Sequence, residues 1–78
     1  MYVAKFSDNY QLSLQKGSDD AWDGAVIGPM PSRDQRIWLG SDIEEAKLAL
    51  YEFADRHFQL RGIAEPRIHK DKIDWREL

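Results

Sequence analysis

Apolar and polar positions alternate strictly from Tyr10 to Gln15: Tyr10, Leu12 and Leu14 lie one way, Gln11, Ser13 and Gln15 the other. A period of two is the mark of a half-buried strand. The period returns at Ala21–Gly28, where Trp22, Gly24 and Val26 oppose Asp23, Ala25 and Ile27. It returns again at Gln35–Leu39, where Ile37 and Leu39 oppose Arg36 and Trp38. Tyr2–Phe6 is shorter and reads as an edge strand. Gly24, inside a strand, marks a bulge or a close approach by another group. Ser7-Asp8-Asn9 is turn chemistry, because Asp and Asn side chains bond their own backbone. Lys16–Asp20 reads as a second turn, and Gly28–Asp34, stiffened by Pro29 and Pro31, as a longer connection.

The period then changes from two to 3.6. Ser41-x-x-Glu44 has the form of a capping box, which predicts a helix from Ser41. Asp42, Glu44 and Glu45 complement the positive end of its dipole. At 100° per residue, Ile43, Ala46, Leu50, Phe53, Ala54 and His57 form one stripe, with Ala49 and Leu60 at its edge. Leu48, Tyr51 and Phe58 fall off that stripe. Arg61 suits the last turn, and Gly62 is a left-handed stop. Pro66 bars resumption of the helix. The tail alternates again through Ile68, Ile73 and Trp75, whose apolar side chains need cover. Leu48, Tyr51 and Phe58 offer it.

The expected object is one α+β domain spanning residues 1–78, with sheet over 2–39, helix over 41–61 and a tail over 63–78 folding back. The sheet is antiparallel, of three strands with Tyr2–Phe6 as a candidate fourth, packed on one long helix. Alternation places Leu12, Leu14, Ala25, Ile27, Ile37 and Leu39 against the helix. A strand slipped by one residue would exchange these faces.

Composition narrows the function. The chain has 78 residues, no cysteine, and a net charge of −3. A core this small is one layer of side chains deep. Without cysteine there is no disulfide framework, thiolate site or cysteine nucleophile. No apolar run approaches the roughly 20 residues that span a bilayer, and the first residues lack the pattern of a signal peptide. A cytoplasmic, soluble protein without membrane contact or cofactor is therefore expected. Cations and anions number four and five in residues 1–40, three and five in 41–62, and four and four in 63–78. No block is basic. Non-specific nucleic-acid binding draws its free energy from Lys and Arg neutralising phosphates, so this balance disfavours it.

Little chemistry points to catalysis. His57 and His69 lack the spacing of a zinc pair, and no stretch matches a nucleophile elbow, a phosphate loop or a dinucleotide fingerprint. Asp19, Asp20 and Asp23 do not fit the twelve-residue calcium loop and read as a solvated acidic turn. On the expected register, Trp22, Arg36 and Trp38 share the open face of the sheet, with Gln11, Ser13 and Gln15 around them. Trp and Arg dominate interface hot spots, so this face reads as a binding site. The same rings fit equally well beneath the tail.

From Tyr10 onward the chain resembles the Apetala/ethylene-response-factor type of DNA-binding domain. The matching residues are Tyr10, Trp22, Arg36-Ile37-Trp38-Leu39-Gly40, Glu44-Glu45-Ala46, Ala49, Ala54 and Arg61-Gly62. The resemblance implies a three-stranded antiparallel sheet on one helix, whose open face enters the DNA major groove. It carries that role only to Arg36, Trp38 and Trp22; Arg33, Arg36 and Lys16 are the few cations at hand for DNA contacts. Where the family is arginine-rich, this chain has Leu12, Leu14, Asp19 and Asp20. Its shape and acidity are also similar to those of phage-encoded inhibitors and regulators.

The expected function is a non-enzymatic module that binds a protein partner. That partner would belong to a nucleic-acid-handling complex, with carboxylates of Asp19, Asp20, Asp23, Asp42, Glu44 and Glu45 taking the places of phosphates. The same residues also read as ordinary solubilising charges. The alternative is a sequence-specific DNA-binding module using the open sheet face. Self-association through a sheet edge is a further option.

Overall fold

The computed structural model describes residues 1–17, 19–29 and 40–78 and the backbone of Ile37 and Trp38. The fold is α+β. The strands are β1 (Tyr2–Lys5), β2 (Gln11–Lys16), β3 (Trp22–Ile27) and β4 (Ile37–Trp38). They form an antiparallel meander under helix α1 (Ile43–Arg61). After a 3-10 turn at Lys70–Lys72, the tail adds a two-residue strand, β5 (Arg76–Glu77), antiparallel to β1. The sheet order is β4-β3-β2-β1-β5. The strand expected over Gln35–Leu39 is seen at Ile37–Trp38, and Gln35, Arg36 and Leu39 lie outside the described residues.

The pairing of β2 with β3 corrects the expected faces. Leu12 faces Val26, Leu14 faces Gly24, and Lys16 faces Trp22. Leu12, Leu14, Trp22, Gly24 and Val26 therefore share the helix side, joined there by Tyr2 and Ala4 of β1. Ala25 and Ile27 belong to the face away from the helix, where Ile27 is 42% exposed while Ala25 is buried. Alternation fixes which residues go together within a strand, but the turn between strands fixes the parity. Here the turn is closed by Gly17 N donating to Ala21 O at 2.7 Å and Asp20 N to Gly17 O at 3.2 Å. Asp20 takes the left-handed conformation at φ 66°, which an aspartate tolerates better than most side chains.

The helix is capped by Asp42, not Ser41. The Asp42 carboxylate accepts the Glu44 amide at 2.9 Å. Aspartate caps as well as serine, and the one-residue shift leaves Ser41 exposed outside the helix. At the far end Gly62, at φ 66°, donates to Gln59 O while Ile63 N donates to Phe58 O at 3.0 Å. These two bonds make a Schellman motif.

The buried row of the helix is Ala46, Leu50, Ala54 and Phe58. Phe58 lies off the stripe that the sequence predicts, yet it is fully buried. Phe53 and His57 are only half-buried, and Ala49 and Leu60 are exposed. Residues four apart wind round a helix by about 40° per step. The face buried at the C-terminal end is therefore not the face buried at the start. Phe58 meets Phe6 edge-on at 5.0 Å and Tyr10 at 4.7 Å, so the first turn of the sheet supplies its cover.

The tail straps the domain as expected and does so with polar bonds. The Glu65 carboxylate accepts from Asn9 N at 2.6 Å and Asn9 Nδ2 at 3.2 Å. Arg67 pairs with Asp55 and lies 5.5 Å from the Phe58 ring centre. Ile68 N donates to Phe6 O at 2.8 Å, and the Tyr51 hydroxyl donates to Ile68 O at 2.9 Å. Ile63, Ile73 and Trp75 pack against the core.

Candidate functional site

Trp22 N donates to Gly40 O at 2.6 Å. That bond ties the β2–β3 turn to the residue just ahead of the helix. Asp19, Asp20 and Asp23 on the turn side thus come to the same end of the molecule as Asp42, Glu44 and Glu45 in the first helical turn. Among the described residues, Lys16 and Lys47 are the cations paired to this group: Lys16 with Asp20 at 2.8 Å and Lys47 with Glu44 at 3.4 Å. The carboxylates outnumber the cations, so this end carries negative charge.

Much of the acidity has a local structural role as well. Asp19 accepts the Ala21 amide at 3.3 Å and helps close the turn. Asp42 caps the helix. An ionised carboxylate serves both purposes, because accepting one amide proton leaves oxygen lone pairs facing water.

Glu44 and Lys47 are shared with an adjoining groove between α1 and the tail. The groove holds about 340 Å³ and is lined by Glu44, Lys47, Leu48, Tyr51, Lys70, Asp71, Ile73 and Trp75. Leu48 is 48% exposed there. The Lys47 ammonium lies 5.3 Å from the Tyr2 ring centre and 6.0 Å from that of Trp75, holding the indole against the helix through cation–π attraction. The far wall is set by the 3-10 turn, where His69 Nδ1 accepts the Asp71 amide at 3.2 Å.

The other residues expected in the site fare differently. Trp22 is a core residue, only 9% exposed. Tyr2 meets it edge-on at 5.8 Å, and the Lys16 ammonium lies 5.7 Å from its ring centre. Trp38 pairs in register with Asp23, so its backbone position belongs to the opposite face from Trp22. Arg33, Arg36 and the Trp38 side chain lie outside the described residues. The expected Trp22/Arg36/Trp38 face is therefore not assembled as proposed, because the register turns Trp22 inward. Asp23 remains on the open face, half-buried. Of the groove residues, the sequence marks Ile73 and Trp75 as apolar side chains needing cover and Leu48 and Tyr51 as the flank that offers it. That pairing reads in the sequence as packing of the tail on the helix, and the groove between them is seen only in the structure.

Among the described residues, three groups titrate away from their ordinary values. Burial, and then the Asp55 carboxylate, push the Tyr51 phenol up. Burial, and then Arg61, hold the His57 imidazole down. The Ser7 hydroxyl, and then the Asn9 amides, hold the Glu65 carboxyl down. Among the described residues the buried Ser7 Oγ has no hydrogen-bond partner, so the bonds that hold Glu65 in place are those from Asn9. Among the described residues no helix is long and apolar enough to cross a membrane, and none form a group of three or more potential metal ligands.

No protein-family model, curated protein or solved structure matches this chain.

Proposed function

We propose that this protein is a non-enzymatic acidic binding module. It regulates or inhibits a nucleic-acid-handling protein, as small proteins of phages and mobile elements do, by placing carboxylates where that partner takes phosphates. The observation that carries this reading is the Trp22–Gly40 hydrogen bond, which gathers the acids of the turn and of the helix start at one end. The adjoining groove gives the acidic end an apolar anchor, with Leu48, Ile73 and Trp75 able to receive an apolar side chain of the partner. A charged rim around an aromatic anchor is a common division of labour at interfaces, the charges setting the rate of encounter and the buried ring the affinity. Both histidines have structural employment, His57 stacked on Phe53 and His69 closing the 3-10 turn, which supports a binding role over a catalytic one.

The alternative, a DNA-binding module, rests on the face of the sheet away from the helix. Its described positions include Lys5, Gln11, Ser13, Gln15 and Asp23. Duplex recognition needs several phosphate contacts and bidentate base contacts, and among the described residues of this face Lys5 and Arg76 beside Asp23 supply few of either. Fluorescence anisotropy with a labelled duplex at low salt separates the readings. The acidic module leaves the signal unchanged. Micromolar binding that weakens with salt and disappears in Arg36→Ala would overturn the proposal.

A further inference from the structure

The helix flank away from the tail carries the most exposed large apolar side chain in the described structure, Leu60, at 81%. Ala49, Phe53, Arg56 and Leu60 recur at helical spacing on this flank, and a shallow groove is lined by Ala49, Glu52, Phe53 and Arg56. Its charges are divided along the axis. On this flank Glu45 and Glu52 come before Arg56 along the helix.

We propose that this flank pairs with the same flank of a second copy of the chain, helix antiparallel to helix. A twofold axis near Ala54 sets Glu52 of each copy opposite Arg56 of the other. It lays Leu60 over the small Ala49. The pattern is self-complementary, as a twofold interface requires. A parallel pairing would set acids against acids and arginines against arginines. Antiparallel packing also opposes the two helix dipoles favourably. A helix of 19 residues is about 28 Å long, so the contact is smaller than the roughly 1,200 Å² of a stable complex. The dimer is therefore weak and concentration-dependent.

Sedimentation equilibrium from about 10 μM to about 1 mM tests the pairing. The mean mass of the wild type should climb from 9.1 kDa toward twice that value. Leu60→Asp alters a side chain that the fold does not bury, so its circular dichroism and melting midpoint should match the wild type while its association weakens about tenfold or more. Glu52→Arg should weaken association, and combining it with Arg56→Glu should restore it. A wild type that stays monomeric, or a Leu60→Asp chain that associates like the wild type, would overturn the interface. Failure of the double charge swap to recover association would overturn the antiparallel register.

Discussion

Asn9 and Glu65 are 56 positions apart, yet both the backbone amide and the side-chain amide of Asn9 donate to the one Glu65 carboxylate. This clamp joins the first turn of the sheet to the tail. Folding lowers the Glu65 pKa, the Ser7 hydroxyl acting first and the Asn9 amides after it. The stabilisation is therefore complete above the unfolded carboxyl value of 4.5 and is lost as pH falls through the lower folded value. Thermal melts across the acid range should show a steeper loss of stability in the wild type than in Glu65→Gln. Parallel profiles would mean that the clamp contributes nothing.

The tail also has an apolar share. Deleting everything after Gly62 removes β5, the Ile68 and Tyr51 bonds, and the half-buried Ile63, Ile73 and Trp75. At roughly 1 kcal/mol for each half-buried side chain, the domain should lose about 3 kcal/mol or more, read from urea unfolding. An unchanged midpoint would show that the strap is ornamental.

Gly28 touches the ring of Tyr10 more closely than any other residue type could. A Cβ added at Gly28 would lie 2.2 Å from Tyr10 Cε2, and that ring is held edge-on against Phe58 at 4.7 Å. Gly28→Ala should cost about 1–3 kcal/mol through overpacking. In a Tyr10→Leu background most of that cost should vanish, because the clashing atoms are gone. A double-mutant cycle by chemical denaturation measures the difference.

Trp22 tests the register. Inside the core, Trp22→Ala should cost about 3–5 kcal/mol. On an open binding face the same change would leave stability almost untouched. Urea titration of this variant decides between the two placements.

These placements mark what the residues reveal alone. The α+β class, the meander and the long helix followed from changes of period between Tyr10 and Leu60, and Gly62 followed from its place after the last periodic residue. The parity of β3 did not follow, because Trp22, Gly24 and Val26 are as apolar a set as Ala25 and Ile27 with their neighbours. Only the bonds of the Gly17–Ala21 turn choose between them. Ser41 and Asp42 are both good caps, and the backbone at Asp42, extended at φ −90°, selects it. Phe58 looked misplaced because a helical wheel assumes one flat partner, whereas Phe6 and Tyr10 reach round to meet it. For the site, the six acids were visible but their convergence was not, since it depends on a bond between Trp22 and Gly40.

The proposed role stands or falls on those acids. The most direct measurement is capture from a cell lysate on the immobilised chain, run beside a variant with Asp19→Asn, Asp20→Asn, Glu44→Gln and Glu45→Gln. All four side chains are exposed, so the variant should melt like the wild type within a few degrees. The account predicts a basic nucleic-acid-handling protein retained by the wild type, released by moderate salt, and absent from the variant. The same protein retained equally by both would contradict it.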